Sequence, residues 1–324
     1  MTAPGGLPGA ELRLAQVREI RELARDILGF ELVARDGRPL PPFTAGAHVD
    51  VHTPSGKVRQ YSLCGDPANR DSYLIAVKRE KDGRGGSLSM HARIEEGSTL
   101  AIQCPRNHFP LADAAESSLF VAGGIGITPI VAMVHTLAAA GRPWTLHYCA
   151  RSADHAAFLS EIGALPGGTV HTHFSELPVL DVRGLLEPIL PGRHLYICGP
   201  AGLMDAALKA STHWPVEHVH HEYFAAPPLV ANYAAPTAFE LHLARSGGTL
   251  TVPAERSIVQ ALREYGVHLP TACEEGVCGT CEVAVLDGLP EHRDFILSGE
   301  ERTANRTLMA CVSRARSARL VLDL

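Results

Sequence analysis

The stretch CEEGVCGTC at 273–281 sets three cysteines within nine residues. Cysteine, glycine and two acids supply too little bulk for a core strand. Something other than packing must organise this segment, and the chain around it has to fold to suit. Three readings compete: a disulfide scaffold, a zinc site or an iron–sulfur cluster. The disulfide reading fits poorly, because only 8 cysteines are spread over 324 residues and the opening MTAPGGLPGAELRL has neither a basic n-region nor an apolar h-region. That opening reads as a short flexible tail. The expectation is a reducing, cytoplasmic setting in which thiols are free to bind metal.

Spacing separates the two metal readings. Structural zinc sites usually join one C-x2-C to a second C-x2-C or an H-x3-H knuckle. Here Cys273, Cys278 and Cys281 follow C-x4-C-x2-C, with a further cysteine, Cys311, in LMACVSRA. That is the plant-type spacing for a [2Fe–2S] cluster. Four thiolates, two irons and two sulfides leave net negative charge for backbone N–H groups to offset, and Gly276 and Gly279 let the loop wrap closely. Zinc stays as the alternative, in a zinc-stabilised binding protein. Just upstream, FELHLARSGGTLTVPAERSIVQALREYGVHLPTA reads as two strands around a Gly-Gly turn and then a helix with Ile258, Leu262 and Tyr265 on one face. Hairpin, helix and cysteine loop in that order resemble the β-grasp domain of plant-type ferredoxins, an α+β fold, over residues 238–324.

Before it, the Ala/Pro-rich AAPPLVANYAAP marks a linker at about 226–237. Residues 113–225 read as an α/β nucleotide-binding unit. SSLFVAGG is a buried strand ending in glycines, IGITPIVAMVHTLAAAG an apolar helix, and PWTLHYCARS the next strand. Gly123, Gly124 and Gly126 lie at the strand-to-helix turn, where backbone N–H groups and a helix N-terminus can approach a pyrophosphate. HLYICGPAGLMDAALKA repeats strand, glycine turn and helix. The pair GGIGITP and CGPAGLM resembles the pyridine-nucleotide domain of the ferredoxin-NADP reductase superfamily. The resemblance implies that Thr128, Cys198, Gly199 and Pro200 line a nicotinamide pocket.

Residues 10–112 read as β-rich, with LRLAQVREI, FELVAR, AHVDVHT, KVRQYSL, YLIAVKRE and STLAIQCPR as short strands of an antiparallel β-barrel. VRQYSLCGDP carries the R-x-Y-S signature of the same superfamily's flavin domain. The resemblance implies that Arg59 pairs with a flavin phosphate, Tyr61 lies on the isoalloxazine face and Ser62 bonds a ring edge. DGRGGSLSMH at 82–91 reads as a second phosphate loop, with Arg84, Gly85, Gly86 and Ser87 as its working residues and Ser87 as the N-cap of a helix. Its GRGGS matches the phthalate dioxygenase reductase branch, which implies FMN instead of FAD.

Barrel, nucleotide domain and C-terminal ferredoxin is the order found in phthalate dioxygenase reductase and the vanillate demethylase reductases. HEYFAAP, with Phe224 as an aromatic against the flavin, and EHRDFILSGEER fit the same family. The resemblance implies a transfer order of NADH, FMN, [2Fe–2S] and an external acceptor. A flavin is needed between the first and third because a nicotinamide gives two electrons at once and the cluster takes one. The implied acceptor is a Rieske-type non-haem iron oxygenase acting on an aromatic or related small molecule. A cytochrome P450 or another ferredoxin-dependent acceptor is the alternative. NADPH in place of NADH is left open by Arg151 and Ser152 in CARSADH.

A net charge of −6 gives no basic nucleic-acid face. Glu274 and Glu275 offer an acidic docking edge or merely a solvated loop. No apolar run reaches membrane-spanning length, so a soluble protein is expected, as a monomer. Among 17 histidines, HVHHEYF places His218 and His220 on one strand face and His221 opposite, which reads as a surface strand end and not a metal site.

Overall fold

The computed structural model describes residues 12–175, 180–227, 233 and 235–324. They fall into two compact units, one ending at Phe224 and the other running from Ala225 to the C-terminus. Half of the expected linker at 226–237 lies outside the described residues.

The first unit begins with six strands: β1 (Leu12–Ala24), β2 (Ile27–Ala34), β3 (His48–His52), β4 (Val58–Ser62), β5 (Tyr73–Lys78) and β6 (Thr99–Gln103), with helix α1 (Gly86–Arg93) between the last two. They pair antiparallel in the order β4-β3-β6-β1-β2-β5. An antiparallel bridge between Leu63 and Ile75, with Cys64 N donating to Leu74 O at 2.9 Å, joins the two ends. Closure removes the exposed edges. Alternation along the strands sends Ala15, Val17, Phe30, Leu32, Val49 and Val51 inward, each fully buried. Each such larger apolar side chain contributes roughly 1.5–3 kcal/mol. All six expected strands are present.

Next come β7 (Ser117–Gly123), α2 (Thr128–Ala139), β8 (Trp144–Ala150), α3 (Leu159–Gly163), β9 (Gly168–Phe174), α4 (Val182–Leu186), β10 (Arg193–Cys198), α5 (Ala201–Ala210) and β11 (Val219–Glu222). The strands form a parallel sheet in the order β11-β10-β7-β8-β9. Both faces are covered, as a parallel sheet requires. Phe120, Ala122, Leu146 and Tyr148 share a core with Ile130, Val131 and Val134 of α2, and that core is continuous with the barrel interior. Leu119, Val121, Leu195 and Ile197 pack on the other face against Leu186, Met204 and Trp214. The chain lays down β7, β8 and β9 outward on one side, then returns to place β10 on the other side of β7. The strand order therefore reverses between β7 and β10, and the crevice beyond their carboxyl ends is where doubly wound sheets bind ligands.

The second unit contains β12 (Phe239–Leu243), β13 (Thr249–Val252), α6 (Ile258–Tyr265), β14 (Glu282–Asp287), β15 (Pro290–Glu291), α7 (Gly299–Ala304), β16 (Thr307–Met309), β17 (Arg314–Ala315) and β18 (Arg319–Leu322). The main sheet has the order β13-β12-β18-β14-β16, with β18 parallel to β12 and the other pairs antiparallel. A last strand inserted beside the first, with a helix packed across, is the β-grasp arrangement. Helix α6 opens with a Ser257–Gln260 capping box and stops at Gly266, whose φ is 91°. Its buried face is Ile258, Val259, Ala261 and Leu262, whereas Tyr265 is 49% exposed. The expectation for Tyr265 is thus corrected: it sits at the last turn and lies over Gly248, where no side chain competes for the space.

Candidate functional site

The loop between α6 and β14 gathers the cysteines. Glycines at 276 and 279 take φ of 75° and 72°, angles a side chain with a Cβ rarely adopts. These turns fold the loop so that its N–H groups face sulfur. Glu275 N donates to Cys273 Sγ at 3.3 Å, Cys273 N to Cys278 Sγ at 3.5 Å, and the N–H of Gly276 points at the Cys311 sulfur. Cys311 arrives from the turn after β16 and meets both Cys273 and Cys281. Cys278, Cys281 and Cys311 are buried, and Cys273 is half-buried.

The contacts with Cys273, followed by burial, push the Cys278 thiol well above its ordinary range. Four thiolates this close cannot coexist without a cation. Among the described residues, no three His, Cys, Asp or Glu side chains are arranged to hold a single metal ion. A two-iron cluster asks for cysteine pairs, whereas a structural zinc ion needs four ligands around one point. The donor set fits the cluster. Glu274 is already engaged, accepting from Thr271 at 3.1 Å and from Arg263 at 3.2 Å, which blunts the acidic edge expected there.

In the first unit, the two glycine turns meet at the crevice beyond β7 and β10. Gly126 lies so close to the end of β10 that a Cβ there would stand 2.3 Å from Cys198 O. One on Gly123 would stand 2.5 Å from Pro200 Cδ, and one on Gly199 3.0 Å from Gly123 N. Thr128 opens α2 and donates to Ile125 O at 2.9 Å, which holds the turn shut. The Cys198 thiol is pushed well up, by burial and then by Glu222, so it stays neutral. Phe224, 42% exposed, follows β11.

Sequence reasoning missed Glu222. The register pairs it with Cys198, its Oε2 is buried without a hydrogen-bond partner, and burial pushes its carboxyl up to about 8. An acid two residues before Phe224 was visible; its neighbour across the sheet was not. Between an unfolded value of 4.5 and about 8, the folded protein keeps a proton that the unfolded chain has lost. Stability therefore falls as pH rises through that window. Glu222→Gln removes the penalty and is expected to be more stable than wild type at pH 8.5, on the order of 5 kcal/mol, with the difference gone at pH 4. Thermal melts at the two pH values check this, and an equal difference at both would refute it.

At the barrel, Arg59 on β4 lies against the start of α1. A Cβ on Gly86 would stand 2.8 Å from Arg59 Cγ and 3.1 Å from its Nε, so only glycine brings the loop this near the guanidinium. Gly85, at φ 88°, precedes the helix and Arg84 is exposed beside it. Cation and helix N-terminus together fit a phosphate group. Tyr61 is half-buried, and burial raises its phenol to about 12. Ser62, next on β4, is buried. Ser87 is not the N-cap. It lies inside α1, where its Oγ accepts from Glu80 N at 3.1 Å, because the glycine at 85 already turns the chain.

The histidines lie at a sheet edge, as expected for a surface strand end: β11 is the edge strand, His221 is exposed, and His218 and His220 are half-buried. His194 Nδ1 lies 2.9 Å from His220 Nε2, and His218 stacks on His194 at 4.2 Å. Parallel β10 and β11 bring them into one ladder.

Known proteins match this arrangement. The sequence model of the 2Fe-2S iron–sulfur cluster binding domain matches residues 241–316. The chain is 46% identical to the tert-butanol monooxygenase / tert-amyl alcohol desaturase reductase subunit of Aquincola tertiaricarbonis, over 99% of this chain and 98% of that one. It is 42% identical to the phthalate dioxygenase reductase of Burkholderia cepacia, over all of both chains, and 44% to a vanillate O-demethylase oxidoreductase of Pseudomonas sp. (strain HR199 / DSM 7063), over 95% and 98%. The solved structure of phthalate dioxygenase reductase superposes with a TM-score of 0.71 at 41% identity, covering 97% and 98%. An intact type IV self-sufficient cytochrome P450 monooxygenase contains a region that superposes at TM-score 0.90 and 38% identity, covering 99% of this chain. This chain spans 43% of that longer protein.

Proposed function

Because the chain belongs to the phthalate dioxygenase reductase and vanillate O-demethylase reductase family, we propose that it is the reductase component of a multicomponent oxygenase. It passes electrons from NADH through FMN and a [2Fe–2S] cluster to a Rieske-type non-haem iron oxygenase that acts on an aromatic or related small molecule. The observation that carries this reading is the full-length likeness at 42–46% identity to three reductases of oxygenase systems. The division at 10–112, 113–225 and 238–324 into flavin, nucleotide and ferredoxin domains belongs to the same reading, as do a cytoplasmic site and a monomeric state. No helix among the described residues is long and apolar enough to cross a membrane.

The residues take these roles. Cys273, Cys278, Cys281 and Cys311 ligate the irons. Arg59 pairs with the FMN phosphate, Arg84, Gly85, Gly86 and Ser87 line its far side, and Tyr61 and Ser62 hold the ring. Bound there, FMN supplies the conversion from a two-electron hydride to single electrons. Gly123, Gly124 and Gly126 admit the nucleotide pyrophosphate. Thr128, Cys198, Gly199 and Pro200 form the nicotinamide wall, Phe224 covers the place where the ring docks, and neutral Cys198 donates no competing charge.

NADH in place of NADPH belongs to the same reading. Hydrogen bonding from Ser152, with Arg25 behind it, holds the Asp154 carboxyl below the usual carboxylate range, and a negative group in the turn after β8 disfavours a nearby 2′-phosphate. The P450 likeness supports a cytochrome P450 acceptor as the second reading, in which the internal chain is unchanged.

The test is the visible spectrum of the purified protein before and after anaerobic NADH. Flavin bands on a red-brown thiolate-to-iron envelope, bleaching together, are expected. A colourless protein that carries zinc overturns the reading. Adding purified oxygenase or P450 then separates the two acceptors by rate.

A further inference from the structure

The segment EHRDFILSGEER, which none of the assigned roles uses, folds beneath the cysteine loop. Phe295 N donates to Gly276 O at 2.9 Å, and a Cβ on Gly276 would stand 3.1 Å from Asp294 Cα. The residue under the loop is therefore Asp294, 2% exposed. One carboxylate oxygen, Oδ2, accepts from Leu297 N at 2.9 Å and Ile296 N at 3.2 Å, with Arg302 Nη2 at 3.6 Å. The other, Oδ1, is buried without a hydrogen-bond partner and faces His292 Nδ1 at 3.9 Å, itself buried and without one.

The imidazole's orientation follows from its far side. Asn305 Nδ2 donates to Thr303 O at 3.1 Å, so Asn305 presents Oδ1 to His292 Nε2 at 3.1 Å, and Nε2 must carry a proton. Nδ1 is then the ring atom left facing the unpartnered carboxylate oxygen of Asp294. The remaining charged groups close by are Arg302 on α7 and the Glu291–Arg293 pair, which are bonded to each other. A buried carboxylate with no bulk water around it acts on nearby charge far more strongly than a surface acid.

We infer that Asp294 and His292 are positioning residues for the electron-accepting loop. Asp294 braces Gly276 from below and lends it negative charge, Arg302 is its cationic neighbour, His292 Nδ1 faces its other oxygen, and the pair of Asp294 and His292 sets how readily the cluster accepts its electron. The inference rests on the iron–sulfur reading of the loop.

The experiment measures iron and sulfide content and the cluster's reduction potential, by electron paramagnetic resonance during a redox titration, in wild type and in Asp294→Asn, His292→Gln and Glu300→Gln. Asparagine keeps an acceptor for Ile296 and Leu297, and glutamine keeps a donor for Asn305, so both variants are expected to hold iron. Loss of the anion in Asp294→Asn is expected to favour reduction about tenfold, 59 mV upward for one electron. Loss of the imidazole that faces Oδ1 in His292→Gln is expected to move the potential downward. Glu300→Gln, an exposed acid of the same segment, is expected to leave it unchanged. Shifts of one sign, or none, with full iron content sink the inference and leave the iron–sulfur reading standing. Absence of iron from the wild type sinks that reading instead.

Discussion

Cys278→Ser is expected to lose the red-brown envelope while keeping its flavin, to be reduced by NADH as before, and to reduce cytochrome c far more slowly. Cys278 is 2% exposed, receives the N–H of Cys273, and has Thr280 Oγ1 3.4 Å from its sulfur. A hydroxyl there gives iron a much poorer ligand and loses the pairing with Cys273. The fall in cytochrome c reduction should equal or exceed the roughly 10–100-fold loss seen when a mere outer-shell partner is removed. Among the described residues, the core of 239–324 and the core of the barrel and parallel sheet are separate clusters, so flavin and nucleotide chemistry in the first unit should survive. Normal cytochrome c reduction by the variant would mean that electrons leave from the flavin and that the cluster is not the main exit.

Gly126→Ala should damage the other half of the chain. The added methyl would lie 2.3 Å from Cys198 O and 2.7 Å from Gly199 N. Both are backbone atoms that no side-chain rotation can move aside, so the two glycine turns must separate. Overpacking of this kind costs about 1–3 kcal/mol. A misplacement of about 1 Å at a reacting centre can lower a rate about 100-fold, and NADH-dependent flavin reduction is expected to fall by that order. Dithionite, which needs no nucleotide pocket, should still reduce the flavin and the cluster. Gly202→Ala in α5, where nothing lies within 4 Å of the new methyl, is the control and should leave the rate unchanged. Equal rates in Gly126→Ala and wild type would mean that the junction of the turns does not position the nicotinamide.

What could be read from the chain was whatever depends on covalent spacing. The C-x4-C-x2-C run, the R-x-Y-S strand and the glycine turns of the two strand–glycine–helix units each lie within a few residues, and Cys311 follows Cys281 by 30. Short-range sterics and hydrogen bonding dictate such patterns regardless of the rest of the fold. The six barrel strands were legible for the same reason, since alternation reports which face is buried. Local reading failed where a neighbour from elsewhere took over a role. Ser87 has the right chemistry for an N-cap, but Gly85 turns the chain first. Tyr265 follows the helical period, but the helix ends at Gly266 and its ring lies over Gly248.

The sequence by itself determined which side chains and turns this protein has to offer, because cysteine spacing and glycine turns are encoded by residue type at fixed separation. Only the tertiary structure decided how those groups are served. It put Gly86 against Arg59 and Gly126 against Cys198, set Glu222 opposite Cys198 in the sheet, and slid Asp294 under Gly276. Each of these is a meeting of segments many residues apart. Strand order and register fix them, and those are settled by burying all the apolar faces at once and not by any stretch of chain alone.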